Sequence, residues 1–209
     1  MTLNSQPTVY VVDDDADVRD SLRLLLEASD FRVETFDSAA AFLTHPHAER
    51  ACVVTDVRMP GMDGLALQEE LAQRNAILPV IIMTGHGDVP LAVRAMRAGA
   101  IDFLEKPFEQ ESLVGSVKRA LELQSVSLNR NAAAQAAEEV LSQLTERERQ
   151  VFELLVAGKP NKVVAFELDI SPRTVEIHRA RVMEKTGTRS LAELVRLALA
   201  ARGGENNPT

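Results

Sequence analysis

The chain has 209 residues and a formal net charge of −8. Hydrophobic residues make up 45% and charged residues 26%, which is typical of a folded globular protein and excludes a fully disordered chain. No apolar stretch approaches the roughly 20 residues of a membrane-spanning helix, and the first eight residues do not resemble a secretory signal. Cys52 is the only cysteine, which excludes an intramolecular disulfide and predicts a reducing, cytoplasmic location.

The charge is divided unevenly along the chain. Residues 1–139 carry 12 Lys and Arg against 22 Asp and Glu, whereas residues 140–209 carry 11 against 9. An acidic first part and a slightly basic second part indicate two domains with different partners. Chance variation in surface charge produces the same asymmetry, so the division depends on the motifs described below.

The first part alternates short, mostly β-branched runs with segments of helical periodicity. The runs predict five strands, at Thr8–Val12, Arg32–Phe36, Cys52–Thr55, Pro79–Met83 and Ile101–Leu104. Strands that alternate with helices form a parallel sheet covered on both faces, with right-handed crossovers. The sequence therefore predicts a doubly wound α/β domain. We expect the next segment, residues 123–140, to be a partly helical linker that continues a helix beginning near Glu109, because Asn129–Ala137 has good helix propensity.

The second part is predicted to be entirely helical. Helix start and stop signals give four segments: a capping box at Thr145 and Glu148 with an end at Gly158, then Asn161–Leu168, then Ser171-Pro172 with an end at Gly187, then Ser190–Ala201. The third segment carries four basic and two acidic residues. A helix, a tight turn and a basic second helix suggest helix-turn-helix DNA binding, although a solvated face explains the charge about equally well.

Polar residues follow four of the five predicted strands. Because ligands bind beyond the carboxyl ends of parallel strands, we expect these residues to meet in one pocket. Clustered carboxylates repel unless a cation lies among them, and oxygen ligands suit Mg²⁺. A carboxylate can attack a phosphoryl group while a hydroxyl and a lysine contact the phosphoryl oxygens. The residues concerned are Asp13, Asp14 and Asp15 after strand one, Asp56 after strand three, Thr84 after strand four and Lys106 after strand five.

Each of these residues alone has an ordinary structural explanation. An Asp run that opens a helix usually caps it, a threonine that ends a strand is usually a turn residue, and a lone lysine is usually solvated. The specific signal is the order of acidic pair, Asp, Thr and Lys-Pro at successive strand ends. In that order, the segments Val11–Asp14, Asp56–Gly64, Thr84–Gly87 and Lys106–Phe108 resemble the receiver domain of bacterial two-component response regulators.

The resemblance spans about residues 7–122 and implies a receiver domain at residues 1–122, with a flavodoxin-like fold. It implies that Asp56 is the phosphoacceptor and that the Lys106–Pro107 bond is cis. The implied Mg²⁺ ligands are Asp13, Asp14, Asp56 and the backbone carbonyl of Arg58, and the implied phosphoryl contacts and switch residues are Thr84, Lys106 and Phe103.

The second part resembles the LuxR-type helix-turn-helix over about residues 141–202, which implies a DNA-binding domain at residues 141–209. The matching segments are Leu144–Val151, Asn161–Ala165, Ser171–His178 and Lys185–Gly187. Pro160 departs from the family, which often has Ser or Thr there, and this weakens the expected helix cap. We expect Glu176, Ile177 and Arg181 to reach base edges. The other expected DNA contacts are Lys162, Arg173, Arg179 and Lys185 at phosphates, together with Thr174.

The order of the two domains resembles the FixJ/NarL class of transcription regulators. This implies a regulator and not an enzyme, phosphorylated by a sensor histidine kinase, with no membrane association. The further implied partners are double-stranded promoter DNA, RNA polymerase and a second copy of the chain. Dimerisation on phosphorylation is expected at Val89–Ala98 and Ile101–Glu105.

Two other hypotheses remain open at this stage. A haloacid-dehalogenase-like phosphatase would use Asp13 as its nucleophile, with Asp15 at the expected spacing. That class needs a further acidic pair after a late strand, where only Asp102 occurs, and it leaves Asp56 without a role. A scaffold that binds partners without phosphorylation is disfavoured by the intact Asp56, Thr84 and Lys106.

Overall fold

The computed structural model of the chain describes residues 6–74, 76–85 and 89–203. The chain divides into two units, Met1–Ser127 and Leu128–Thr209, and each is described by itself. His86 and Gly87, from the third segment of the receiver resemblance, lie outside the described residues. Within the described ranges, no helix combines the length and the apolar character needed to cross a membrane.

The first unit is built on a five-stranded parallel sheet, as predicted. Its strands are β1 (Thr8–Val12), β2 (Arg32–Phe36), β3 (Ala51–Asp56), β4 (Val80–Thr84) and β5 (Asp102–Glu105), in the order β2-β1-β3-β4-β5. The predicted bounds of β1 and β2 are correct. β3 is one residue longer at each end, while β4 and β5 each begin and end one residue later than predicted. The central strands β1, β3 and β4 are buried throughout because helices cover both faces.

Helices pack on the two faces of this sheet in separate groups. The helices are α1 (Ala16–Glu27), α2 (Ala39–Thr44), α3 (Gly64–Gln73), α4 (Val89–Arg97) and α5 (Gln110–Ser142). On one face, Val9 and Val11 of β1 pack with residues of α1 and α5. On the other face, Tyr10 and Val12 pack with residues of α2, α3 and α4. This period-two alternation along β1 is what a strand buried on both faces requires.

The helix α5 runs through the whole segment that was predicted to be a partly helical linker. Gln124 lies in that segment, yet its side chain is buried in the first unit. Its Oε1 accepts a hydrogen bond from the Ala51 N–H at 2.9 Å, and its Nε2 donates to the carbonyl oxygens of Glu49 and Ile77. The linker bounds of 123 and 140 remain predictions, with Gln124 attached to the starts of β3 and β4.

The second unit contains α6 (Glu146–Val156), α7 (Asn161–Glu167), α8 (Pro172–Thr186) and α9 (Leu191–Gly203). Thr145 and Glu148 form the predicted capping box, Ser171 caps α8, and Gly187 ends α8 in the left-handed conformation at φ 65°. Pro160 supplies no side-chain cap to α7, as expected, but its carbonyl accepts the Val164 N–H. The core of the unit contains Val151, Val164, Val175, Val182 and Leu194.

Candidate functional site

The carboxyl ends of β1, β3 and β5 bring Asp13, Asp56 and Lys106 together. Lys106 Nζ lies 2.8 Å from Asp13 Oδ2 and 2.7 Å from Asp56 Oδ1. Both carboxylates are buried, while the lysine is partly exposed. Burial lowers the pKa of Lys106, but hydrogen bonds and charge attraction from the two carboxylates outweigh burial and raise the pKa above its usual value. The ammonium therefore stays charged and compensates both acids.

Backbone groups orient the remaining oxygens of the two carboxylates. Asp56 Oδ2 accepts the Arg58 N–H at 2.6 Å, and Asp13 Oδ1 accepts the Asp15 N–H at 3.0 Å. Thr84 is buried at the end of β4, where its carbonyl accepts the Lys106 N–H at 2.7 Å. Four of the predicted phosphoryl-site residues thus converge from four different chain segments. The Lys106–Pro107 peptide bond is cis, as predicted.

The three consecutive aspartates after β1 have different environments. Asp13 is buried in the pocket, whereas Asp14 is exposed. Asp15 is the N-cap of α1, and its side chain accepts the N–H groups of Asp17 and Val18. The ordinary explanation of an Asp run as a helix cap therefore holds for Asp15 alone. An acid committed to a cap is poorly placed to serve as the second carboxylate of a phosphatase.

The pocket offers the oxygen ligands that Mg²⁺ prefers, because Asp13 and Asp56 contribute carboxylates and the exposed Asp14 follows Asp13 in the chain. Lys106 is the cation that these two buried acids share in the structure. Within residues 6–74, 76–85 and 89–203, no three His, Cys, Asp or Glu side chains are arranged to hold a metal ion.

Gly64 is a site residue that the sequence analysis did not single out. It begins α3 directly after the N-cap Asp63, and its N–H donates to the Val57 carbonyl at 2.9 Å. A Cβ on Gly64 would lie 2.2 Å from the Asp56 carbonyl oxygen, which is far inside any real contact distance. The chain can pass this close to the Asp56 backbone only with glycine. A glycine just after a turn-rich loop was the available signal.

The helix α8 presents most of its predicted DNA-contacting residues to solvent. Val175 and Val182 are buried in the second unit, which fixes the opposite face of the helix outward. Ile177 is 48% exposed although it is a large apolar residue. The exposed DNA candidates are Lys162, Arg173, Glu176, Ile177, Arg181 and Lys185, while Thr174 and Arg179 are partly buried. Thr174 also hydrogen-bonds to Ser171 through both its N–H and its hydroxyl.

Lys185 has a protein partner that the sequence analysis missed. Its Nζ lies 2.7 Å from Glu148 Oε2, and this carboxylate is buried. The hydrogen bond from Lys185, followed by the hydrogen bond from the Thr145 N–H, lowers the pKa of Glu148 from its ordinary value of 4.5 to about 2. Because the two residues lie 37 positions apart, no local sequence pattern predicts the pair.

Comparisons with known proteins match both parts of the chain. A model of the response regulator receiver domain matches residues 9–118, and a model of the luxR family of bacterial regulatory proteins matches residues 142–198. The chain is 50% identical to the transcriptional regulatory protein FixJ of Bradyrhizobium diazoefficiens, over 92% of this chain and 95% of that protein. It belongs to the FixJ-type two-component response regulators.

Other relatives of this response regulator support the same assignment. FixJ of Rhizobium meliloti is 48% identical, over 94% of this chain and 97% of that one. Among solved structures, the response regulator StyR is 45% identical with a TM-score of 0.80, covering 93% of this chain and 99% of StyR. Full-length FixJ from B. japonicum is 48% identical with a TM-score of 0.57, covering 95% of this chain and 98% of that one.

Membership of this family bears on the phosphatase hypothesis left open above. This response regulator has a receiver domain and a LuxR-type DNA-binding domain, and the phosphatase hypothesis is not supported. Its relatives are transcription regulators, which fits a protein that is not an enzyme. Response regulators of this family act with a sensor kinase and promoter DNA, and receiver domains generally bind Mg²⁺ where they are phosphorylated.

Proposed function

We propose that this response regulator is switched by phosphorylation of Asp56. The observation that carries the proposal is the buried Asp56 carboxylate, held by the Arg58 N–H at 2.6 Å and by Lys106 at 2.7 Å. The donor is a phosphohistidine of a sensor kinase or a small acyl phosphate. A carboxylate oxygen of Asp56 forms a bond to phosphorus as the P–N bond of the phosphohistidine breaks, and the released imidazole nitrogen takes up a proton.

Lys106 and Thr84 have the chemistry to stabilise the transferred group. When the phosphoryl group arrives, the Lys106 ammonium contacts one of its oxygens and the Thr84 hydroxyl contacts another. Mg²⁺ would be held by Asp13, Asp14, Asp56 and the Arg58 carbonyl, and when bound it offsets charge on the phosphoryl oxygens. The Lys106 ammonium already compensates the two acids, so the ion would supply the further positive charge that the incoming phosphate needs.

An apolar groove beside Lys106 offers a docking place for the kinase. The groove has a volume of about 440 Å³ and is lined by Val18, Leu22 and Leu25 of α1 together with Pro107 and Phe108. A phosphohistidine must come within bonding distance of Asp56, so the kinase surface around it has to contact the rim of the pocket. We propose that an apolar helix face of the kinase fills this groove.

Mass spectrometry after treatment with acetyl phosphate and Mg²⁺ tests the phosphorylation site. We expect one phosphoryl group on Asp56, and none on the Asp56→Asn variant. Asp13→Asn removes a neighbouring carboxylate and a proposed Mg²⁺ ligand but leaves the nucleophile in place, so we expect slower labelling that still occurs at Asp56. Label that persists in Asp56→Asn and disappears in Asp13→Asn would contradict the proposal and revive the phosphatase chemistry.

We further propose that α8 is the recognition helix. Glu176, Ile177 and Arg181 lie exposed on it and have the chemistry to read cytosine amino groups, thymine methyls and guanine edges. Arg173, Arg179 and Lys162 supply phosphate contacts. Replacing Arg181 should change which sequences the protein selects from a random DNA pool, whereas replacing Arg173 should weaken binding to all duplexes and reduce the salt slope by about one.

The resulting function is a phosphorylation-controlled transcription regulator without enzymatic activity of its own, acting in the cytoplasm where its DNA lies. It acts as a homodimer on paired half-sites and contacts RNA polymerase there. Exposed apolar residues on α4, among them Val93 and Met96, support a dimer contact in the receiver. Gln68 of α3 donates to the Ala95 carbonyl of α4 at 3.2 Å, which provides a physical link from the pocket region to that surface.

A further inference from the structure

The last turn of α8 is tied to the first turn of α6 by one ion pair. Lys185 Nζ lies 2.7 Å from Glu148 Oε2 and 3.2 Å from the carbonyl oxygen of Gln143. The Glu148 side chain is only 3% exposed, whereas the Lys185 side chain is 34% exposed. The ammonium therefore reaches inward from the surface to a carboxylate that has little access to water.

The carboxylate at the other end of this pair is itself fixed. Glu148 Oε2 also accepts the Thr145 N–H at 2.9 Å, and the Thr145 hydroxyl accepts the Glu148 N–H in return. This is the capping box of α6, and it defines where that helix begins. Lys185 thus connects the C-terminal end of the proposed recognition helix to the capped start of a neighbouring helix.

This geometry conflicts with the expected role of Lys185 as a phosphate contact. An ammonium that moved to a DNA phosphate would leave Glu148 buried and charged without its partner, and such an unpaired buried charge is costly. Arg173, by contrast, is exposed on the same helix and forms no ion pair with a buried carboxylate within the described residues. Of the two cations, Arg173 is the better candidate for the phosphate backbone.

We propose that Lys185 is a positioning residue, which holds α8 at the angle that sequence recognition needs through Glu148, and that it does not bind phosphate. This inference rests on the proposed role of α8 in DNA recognition. On this proposal, Lys185 and Glu148 affect which DNA sequence the protein prefers, although neither residue contacts a base.

The test compares two duplexes, one selected from a random DNA pool by the wild-type protein phosphorylated with acetyl phosphate and one with the same bases shuffled. Every variant is phosphorylated in the same way. For Lys185→Met we expect the ratio of affinities for the selected and the shuffled duplex to fall roughly tenfold, because a tilted α8 misplaces about one base contact. The slope of log affinity against log salt concentration should be unchanged. Glu148→Gln should show the same loss, and Lys185→Arg should retain the preference. A phosphate contact predicts equal weakening on both duplexes, a slope lower by about one, and no loss in Glu148→Gln.

Controls separate positioning from folding and from the proposed function itself. The double variant Glu148→Gln, Lys185→Met removes both charges, so it folds without an unpaired buried acid, and it should still lose discrimination. Thermal unfolding confirms that each variant is folded at the assay temperature, and a lower midpoint with unchanged discrimination would overturn the inference. Arg173→Met is the matched control, because it removes the other proposed phosphate-binding cation of α8, and it should lower the slope of affinity against salt. If the wild-type protein selects no sequence, the proposed function of α8 fails first.

Discussion

Lys106 shares one positive charge between two buried carboxylates, and the pocket depends on this arrangement. Removing one partner of a buried ion pair costs more than the pair contributes, because it strands the opposite charge. Lys106→Met strands two acids, Asp13 and Asp56, that face the same small space. The stability of the receiver unit is thereby linked to the residue that we propose contacts the phosphoryl group.

We predict that Lys106→Met lowers the free energy of unfolding by about 3 kcal/mol in buffer without Mg²⁺. Urea unfolding followed by circular dichroism measures the change. Lys118→Met is the control, since Lys118 is an exposed lysine on α5, and it should leave the stability within about 0.5 kcal/mol of wild type. The double variant Asp56→Asn, Lys106→Met removes one of the two unpaired acids, so it should recover part of the lost free energy of unfolding. A stable Lys106→Met protein would refute the shared-charge account.

Gly64 gives a second prediction at the residue scale. A Cβ there would lie 2.2 Å from the Asp56 carbonyl oxygen, so Gly64→Ala must displace the backbone that carries the proposed phosphoacceptor. We expect a loss of about 1–3 kcal/mol in stability and a slower rate of labelling by acetyl phosphate. Gly115→Ala lies inside α5 with room for a methyl group, so it should stabilise by about 0.5–1 kcal/mol and leave the labelling rate unchanged.

Elements were predicted well where their signals are local. The five strands followed from β-branched runs and turn residues, and the start of α6 followed from the spacing of Thr145 and Glu148. Contacts between distant parts of the chain could not be predicted in this way. Gln124 meets Ala51 across 73 positions and Glu148 meets Lys185 across 37, and only the folded chain brings them together. The pocket was an exception, because all strands of a parallel sheet end at the same edge and the residues that follow them therefore lie together.

The ion pair between α6 and α8 makes the stability of the second unit depend on acid. Hydrogen bonds from Lys185 and then from the Thr145 N–H lower the pKa of Glu148 from 4.5 to about 2, so the folded unit holds this proton less tightly than the unfolded chain. A lowered pKa contributes stability above pH 4.5, and that contribution is lost as the pH falls toward 2.

We therefore predict that Glu148→Gln is less stable than wild type at pH 7 and that the difference shrinks between pH 4.5 and pH 2. Urea unfolding of the full chain at several pH values, with the helical signal as the readout, measures it. Glu153→Gln, which changes an exposed carboxylate of the same helix, is the matched control. A difference that stays constant down to pH 2 would contradict the role of the ion pair.

At the scale of the whole molecule, one covalent event on the first unit must change DNA binding by the second. The described surface that suits this is the outer face of α4, where Val89, Val93 and Met96 recur at helical spacing and are 76%, 42% and 48% exposed. Exposed apolar side chains in a row indicate a contact surface. Phe103 of β5 packs against the core that lies behind α4, and Gln68 links α3 to α4.

We predict that beryllofluoride with Mg²⁺, which mimics the phosphoryl group, converts this response regulator from monomer to dimer through the α4 face. Two DNA-binding units joined in this way reach paired half-sites, so DNA affinity should rise together with the dimer.

Met96→Glu should weaken the dimer about 100-fold, because it would bury an unpaired charge in an apolar contact, while Asp56 is labelled as in wild type. Leu24→Glu alters an exposed leucine of α1 and should leave the dimer intact. Sedimentation velocity reports the assembly and fluorescence anisotropy reports DNA binding. A protein that stays monomeric with beryllofluoride and still binds its selected DNA tightly would refute the dimer mechanism, and phosphorylation would then have to act within one chain.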